Sequence, residues 1–225
     1  MQAEIGDGMI RLFIGSDEDE AIGLYAFLRS VWKHASVPVA ACPIHDDRRD
    51  GSNLFIYERF LVPYHCSYNG WAIWADGTDM LCRADIAELA ALYDPTMAVQ
   101  VVKHDYQTKF PRKYYGQKNE DYPRKNWSSL MLINCAHFAW RQINPVSIKA
   151  RTGAYLHRFD FIDDRYIGAL PVEWNWLVQE MPYNRDAKIA HFTIGLPCYY
   201  PEGDYTGEWL MRVLDVNDFK PWEAK

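Results

Sequence analysis

Residues 70–81 form an apolar run that ends in two carboxylates, Asp76 and Asp79. An apolar run of this length that starts at a glycine is typical of a buried strand. Two carboxylates at the end of a buried strand are costly unless a cation or hydrogen-bond donors compensate them. Mg²⁺ and Mn²⁺ take carboxylate oxygens and often share them with a substrate phosphate. The run therefore indicates either a metal site or a turn at Gly77-Thr78 that the two Asp side chains cap.

Along the rest of the chain, segments with the hydrophobic pattern of strands alternate with segments that have the pattern of helices. This alternation predicts an α/β protein. The opening is a strand followed by an acidic turn, where Ser16 or Asp17 caps a helix and the acidic residues suit the positive end of its dipole. Strands are predicted at residues 9–15, 37–41, 97–103, 127–135 and 188–193, and helices at 21–32, 57–64, 85–93 and 152–160. Pro63 is expected to close the second helix.

Length and patterning favour one domain over residues 1–225. Its core is predicted at about 9–200, and a helical tail at about 205–225, with no repeat and no domain boundary between them. The predicted fold is a mixed, mostly parallel central sheet flanked by helices.

Composition excludes several classes of function. A net charge of −6 argues against a nucleic-acid partner. The five Cys form no C-x-x-C pair, so a zinc site is not expected, and reduced thiols are. The first residues resemble no targeting signal, and no apolar run reaches the roughly 18 residues of a membrane span. We therefore expect a cytoplasmic protein without a transmembrane segment.

Residues 106–126 interleave basic and aromatic side chains and are predicted to be a loop. A loop of this length inside a compact domain is usually functional or disordered. Basic and aromatic side chains together suit a phosphorylated or sugar-bearing ligand. A solvated excursion is the alternative. The basic residues are Lys109, Arg112, Lys113, Lys118, Arg124 and Lys125.

The order of four sequence blocks resembles the nucleotide-sugar glycosyltransferases with the GT-A fold (a Rossmann-like domain), most closely the family 8 type. The blocks are the first strand up to Asp17, the Arg59 segment at 57–63, the Asp76-to-Asp79 motif with its following helix, and the late motif at 191–197. They run from about residue 10 to 197, most of the chain.

The resemblance implies a Mn²⁺ or Mg²⁺ cofactor with Asp76, Asp79 and His191 as ligands. The family has Asp-x-Asp where this chain has Asp-x-x-Asp, which makes Asp79 the firmer ligand of the two. A lone His in a strand is otherwise more often structural.

The donor nucleotide is implied to contact the first strand, Arg59 and Gly195. The contacts at the first strand are Ile14, Gly15, Ser16 and Asp17. The family's Lys beside the late His has no match near Gly195, so Arg59 or a lysine between 103 and 125, such as Lys103, would supply its charge.

On the acceptor side the resemblance implies Asn134, Trp174 and Asn175. Asp163 and Asp164 are candidates to orient the acceptor hydroxyl, or to act as a base if the reaction inverts. Packing is the alternative for Trp174, and turn capping for each Asp.

The resulting hypothesis is a metal-dependent, retaining glycosyltransferase that moves a sugar from a nucleotide-sugar, with UDP-sugar favoured, to a carbohydrate acceptor. Peripheral contact with a lipid-linked acceptor is compatible with it. The altered Asp spacing leaves open a non-catalytic carbohydrate- or nucleotide-binding module. A nucleotidyltransferase is a further alternative, although it normally needs a Gly-rich, basic loop after the first strand, where this chain is acidic.

Overall fold

The computed structural model describes residues 8–45, 55–114 and 116–214. In chain order the strands are β1 (Ile10–Gly15), β2 (Val39–Ile44), β3 (Trp71–Ala75), β4 (Met80–Cys82), β5 (Val99–Val101), β6 (Arg112–Lys113), β7 (Gln117–Lys118), β8 (Leu130–Asn134), β9 (Ile167–Ala169), β10 (Trp176–Leu177) and β11 (Ile189–His191). The α-helices are α1 (Ala21–His34), α2 (Val62–His65), α3 (Ile86–Ala90), α4 (Gly153–His157) and α5 (Thr206–Leu214). Short 3₁₀ helices cover Glu18–Glu20, Glu58–Leu61, Trp127–Ser129, Phe138–Gln142, Ser147–Ala150, Asp164–Tyr166 and Val172–Asn175.

Six strands form the central sheet, in the order β2-β1-β3-β8-β5-β9. β1 pairs in parallel with β2 and β3, and β9 pairs in parallel with β5. β8 runs antiparallel to both of its neighbours, β3 and β5. The predicted α/β class, with a mixed and mostly parallel sheet, is confirmed.

The sheet separates two apolar layers, and β3 contributes to both. Ala72 and Trp74 pack into one buried cluster, whereas Ile73 and Ala75 pack into the other. This is the alternation that a strand imposes on successive side chains. Because both faces are covered, the strand is apolar throughout, which explains why the sequence shows a continuous apolar run here.

Helix α1 covers one face of the sheet. Phe27 and Val31 on its buried side join the cluster that contains Ile73 and Ala75. The other face is covered by chain segments that carry aromatic side chains, among them Phe60 and Trp140.

A smaller sheet lies beside the carboxyl end of β3. It has three strands in the order β10-β11-β4, and in it His191 pairs with Met80. The backbone N–H of Phe192 donates to the carbonyl of Asp79 over 2.8 Å. This pairing brings His191 next to Asp79, which lies 112 positions earlier in the chain.

Most predicted elements are present, with three differences. Pro63 does not close its helix, because it occupies the first turn of α2, where a missing N–H costs nothing. Residues 106–126 are not entirely loop, since they contain the β6–β7 hairpin. The predicted tail helix is described only as α5, and residues 215–225 lie outside the described part.

No helix in the described ranges is long and apolar enough to cross a membrane. The one-domain organisation stays a prediction.

Candidate active site at the carboxyl end of β3

The parallel pairing of β1 and β3 brings their carboxyl ends to one edge of the sheet. Open α/β sheets bind ligands at this edge. Asp76 follows β3 directly, and Gly77 then turns the chain with a φ of 53°. A Cβ on Gly77 would lie 2.1 Å from Cγ2 of Ile14, so only glycine permits this turn. The turn leads Asp79 back to the same edge.

Asp76 is held by cationic and neutral donors. Arg59 Nη1 lies 2.8 Å from its Oδ1, and the indole N–H of Trp74 donates to the same oxygen over 2.9 Å. Arg59 also donates to the carbonyl of Ser128, and the Asp76 N–H donates to the carbonyl of Ser129. Burial raises the pKa of Asp76, although Arg59 opposes the rise. Asp76 therefore acts as a buried link between β3, the Arg59 segment and the start of β8.

Asp79 has a different environment. Its Oδ2 accepts from the Tyr114 hydroxyl and lies 3.2 Å from Nε2 of His191. Its Oδ1 is buried without a hydrogen-bond partner. Burial by itself raises the pKa of Asp79, but the charge of His191 and the hydrogen bonds from His191 and Tyr114 outweigh it, so the pKa is lowered. This carboxylate is ionised and has one oxygen unsatisfied.

Asn175 orients the imidazole of His191. Its side-chain N–H₂ donates to the Ser129 hydroxyl over 2.9 Å and to the carbonyl of Asn126 over 3.2 Å. Its Oδ1 is therefore the atom 2.8 Å from His191 Nδ1, and it accepts a hydrogen bond from the Nδ1–H. That assignment turns Nε2 toward Asp79 Oδ2. Metal-binding histidines are held in this way by an outer partner.

Two of the three predicted metal ligands fit a cation. Asp79 Oδ2 and His191 Nε2 lie 3.2 Å apart, and a cation that took the place of the proton between them would bind both atoms. The Asp76 carboxylate is engaged by Arg59 and Trp74 in this arrangement. Across the described residues no group of three or more His, Cys, Asp or Glu side chains is arranged to hold a metal. The three-residue ligand set and the choice of Mn²⁺ or Mg²⁺ stay predictions.

Two cavities adjoin these groups. A small one of about 50 Å³ is lined by Asp76, Asp79, His191 and residues around them. A larger one of about 500 Å³ lies between α4 and residues 113–125. Lys113 lines both cavities. Burial and the nearby Lys125 lower the pKa of the Lys113 ammonium group, while Asp79 and Asp76 oppose that shift.

The described residues of the 106–126 segment, 106–114 and 116–126, pack against the site. The Tyr114 N–H donates to the carbonyl of Ile194 over 2.8 Å, and its hydroxyl reaches Asp79. Asn119 and Glu180 fix Thr108 at the base of the segment. The prediction that this segment binds a ligand remains a prediction, but its position beside both cavities agrees with it.

Sequence reasoning missed Glu20 as a site residue. Its carboxylate lines the small cavity and accepts from the Thr78 hydroxyl over 2.8 Å. Burial first, and then the charge of Asp79, raise its pKa to about 7. Glu20 stands in an acidic run that also begins a helix, so no sequence signal separated it from its exposed neighbours.

The residues predicted at the end of β1 do not line either cavity. Ile14 is fully buried in the core, and Asp17 caps the following 3₁₀ helix by accepting from the Asp19 N–H over 3.2 Å. The Ser16 N–H donates to Ile44 over 2.9 Å. A Cβ on Gly15 would lie 2.4 Å from the Phe55 ring, so Gly15 lets that ring approach the strand. The ring itself lines the small cavity.

Asn134 lies at the other end of the strands, next to the amino end of β3. β8 is antiparallel to β3, so Asn134 pairs with Trp71, whereas Leu130 pairs with Ala75 next to Asp76. Four residues of strand, about 13 Å, separate the two positions. Its side chain donates to the carbonyl of Pro95 over 2.9 Å. The geometry thus assigns Asn134 a structural contact.

Lys103 and Gly195 are also outside both cavities. Lys103 is exposed, with its Nζ 5.8 Å from the centroid of the Trp127 ring. Gly195 packs under Tyr200, whose ring would lie 2.3 Å from a Cβ at this position.

The other acceptor-side residues take the structural alternatives. Trp174 is 1% exposed and packs in the core, with Lys188 over its ring. Asp163 caps the 3₁₀ helix Asp164–Tyr166, and Asp164 pairs with Arg124 at 2.6 Å on the surface. Of this predicted group the structure brings only Asn175 to the site.

The family of this chain is shown by a plant relative. No family model matches the chain itself. Protein CDI of Arabidopsis thaliana is 35% identical over 233 residues, which cover 95% of this chain and 90% of that protein. The chain belongs to the Protein CDI family.

Solved structures show the fold. GlyE, a glycosyltransferase of Streptococcus pneumoniae TIGR4, superposes with a TM-score of 0.62 at 13% identity and 92% coverage of this chain. WbbM, a bifunctional glycosyltransferase, gives 0.60 at 14% identity over 97% of this chain, and LgtC gives 0.58 at 10% identity over 90% of this chain. The chain spans 51% of WbbM, 60% of GlyE and 95% of LgtC. This CDI-family chain therefore has the GT-A-like fold of glycosyltransferases.

Proposed function

We propose that this protein is a glycosyltransferase that transfers a sugar from a nucleotide-sugar donor, with a UDP-sugar as the expected class, to a carbohydrate acceptor. The observation that carries the proposal is the meeting of Arg59–Asp76 with Asp79–His191–Asn175 at the carboxyl end of β3. The GT-A-like fold supports it. A structure of the galactosyltransferase LgtC holds donor and acceptor sugar analogues, which agrees with sugar ligands for this fold.

The proposed reaction breaks the bond between the donor sugar and its diphosphate, so the leaving group gains negative charge. Asp79 and His191 would hold a Mn²⁺ or Mg²⁺ ion, and such an ion would stabilise that charge when bound. Asn175 keeps the imidazole turned toward Asp79.

We also propose the family 8 type, and with it retention of configuration, on the order of the four sequence blocks. Retention removes the need for a base on the acceptor hydroxyl. This agrees with the surface positions of Asp163 and Asp164.

The test is the thermal unfolding of the whole chain with UDP, GDP and dTDP and with their sugars, each with Mn²⁺ and with EDTA. A ligand that binds only the folded state raises the unfolding midpoint by mass action. We expect a rise with uridine nucleotides that EDTA abolishes. Asp79→Asn and His191→Gln should lose the rise, whereas Asp163→Asn, a carboxylate outside both cavities, should keep it. Absence of a rise with every nucleotide, with or without metal, would contradict the proposal.

A second function, non-catalytic binding of a sugar or nucleotide, is favoured by one observation. Asp76 is engaged by Arg59 and Trp74 rather than turned toward His191. The two functions differ in turnover. A transferase releases UDP from a UDP-sugar in the presence of acceptor or water, and Asp79→Asn stops the release. A binding module gives the nucleotide-dependent rise in midpoint without any release of UDP.

A further inference from the structure

The larger cavity is not lined by Asp76 or Asp79, and its wall is aromatic and basic, unlike that of the small cavity. Its volume of about 500 Å³ is in the usual range for a small-molecule site. Tyr57 and Tyr122 supply flat rings on which a sugar can stack. The volume and the aromatic wall suit a ligand with a sugar ring.

The charge of the wall is opposite to that of the protein. The chain carries a net charge of −6. The cavity wall nevertheless carries four cations and a single carboxylate, Glu120, among the residues that the structure describes around it. The cations are Lys113, Lys118, Lys125 and Arg158. A concave site lined by one sign of charge concentrates ligands of the opposite sign.

Two of these cations already have carboxylate partners. Lys118 pairs with Glu120, and Lys125 lies 3.7 Å from Asp121. Lys113 and Arg158 form no ion pair with any described carboxylate. Arg158 Nε is moreover buried without a hydrogen-bond partner. A guanidinium that lines a cavity and has no ion-pair partner is available to an anion there, and a phosphate or carboxylate is its strongest acceptor.

We propose that this cavity binds an anionic sugar, a glycosyl unit that carries a phosphate or a carboxylate, and that Lys113 and Arg158 receive the anionic group. The ligand is then the acceptor of the proposed transferase, so this part of the inference rests on the proposed function. Lys113 borders both cavities, which places the acceptor next to Asp79 and His191.

The test is titration calorimetry of the whole chain with glucose 6-phosphate, glucose and inorganic phosphate, in the absence and presence of saturating UDP with Mn²⁺. We expect glucose 6-phosphate to bind in both conditions, and glucose and phosphate to bind about tenfold more weakly or worse. Lys113→Gln and Arg158→Gln should each weaken glucose 6-phosphate about tenfold. Lys149→Gln, an exposed lysine that lines neither cavity, is the matched control.

Absence of glucose 6-phosphate binding overturns the inference, and so does each of three further outcomes. Displacement of glucose 6-phosphate by UDP assigns the cations to the donor diphosphate. Equal affinities for glucose and glucose 6-phosphate would mean that the cavity does not recognise the anionic group. Equal affinities for inorganic phosphate and glucose 6-phosphate would mean that it does not recognise the sugar. These comparisons use the wild-type protein, so they hold even if a variant fails to fold. UDP that does not bind even in the presence of Mn²⁺, together with Arg158-dependent binding of glucose 6-phosphate, rejects the proposed function and leaves the anionic-sugar site standing.

Discussion

Asp76 and Asp79 stand three positions apart, yet the fold gives them opposite tasks. The Asp76 carboxylate accepts hydrogen bonds from Arg59 and Trp74, and burial raises its pKa. Asp79 faces His191 and Tyr114, keeps one oxygen without a partner, and has a lowered pKa. The difference teaches that the first carboxylate stabilises the architecture, whereas the second is available to a ligand. Four measurements break or sharpen this contrast.

Asp76→Ala should have the largest effect, because it leaves the Arg59 guanidinium buried without its anion. We expect a loss of about 3–5 kcal/mol in the free energy of unfolding, measured by urea denaturation. Asp79→Ala should cost about 1–2 kcal/mol, since it removes the acceptor of the Tyr114 and His191 hydrogen bonds but also an unsatisfied oxygen. The double variant Arg59→Met with Asp76→Leu should recover most of the loss, because neither charge of this buried pair remains. Equal losses for Asp76→Ala and Asp79→Ala would contradict the contrast.

Glu20 tests the electrostatics on the Asp79 side. Its pKa is about 7 in the folded protein against an ordinary value of 4.5, so the fold favours its neutral form. The resulting stabilisation is complete below pH 4.5 and is lost as the pH rises through 7, by about 3 kcal/mol. Glu20→Gln stays neutral, so its stability relative to wild type should rise by that amount between pH 4.5 and 8. Unfolding at several pH values measures the difference, with the exposed Glu202→Gln as the control; a difference that does not change with pH would argue against it.

Gly77→Ala tests the turn that separates the two carboxylates. The substitution forces a φ of 53° on alanine and brings its Cβ to 2.1 Å from Ile14. We expect a loss of about 2 kcal/mol in the free energy of unfolding. Gly116→Ala is the matched control, because it has a φ of 81° but open space around it, and should cost about 1 kcal/mol. Similar losses at the two positions would mean that contact with Ile14 does not fix the turn.

Asn175→Ala should have the smallest effect of the four, expressed in the affinity for Mn²⁺. Without Asn175 the imidazole of His191 loses the partner that turns Nε2 toward Asp79, and we expect about tenfold weaker binding by calorimetry. Asn175→Asp retains an oxygen for His191 Nδ1 and should recover part of the affinity. The exposed Asn69→Ala should have no effect. An unchanged Mn²⁺ affinity in Asn175→Ala would argue against His191 as a metal ligand that Asn175 orients.

The sequence by itself determined the α/β class, most of the strands and the carboxylates at the end of β3. These signals are local: an apolar run buried on both faces, an acidic helix start and a glycine at a turn are visible in a window of a few residues. His191, Arg59 and Asn175 were found as well, but only through the resemblance to a family of enzymes.

The tertiary structure decided which predicted residues meet. The antiparallel direction of β8 moved Asn134 to the other end of the strands and brought Ser128 and Ser129 beside Asp76. Pairing of β11 with β4 joined His191 to Asp79 across 112 positions. Packing of residues 106–126 added Tyr114 and Lys113 to the site. Strand direction and long-range pairing depend on the free energy of the whole fold, so no local pattern of residues specifies them.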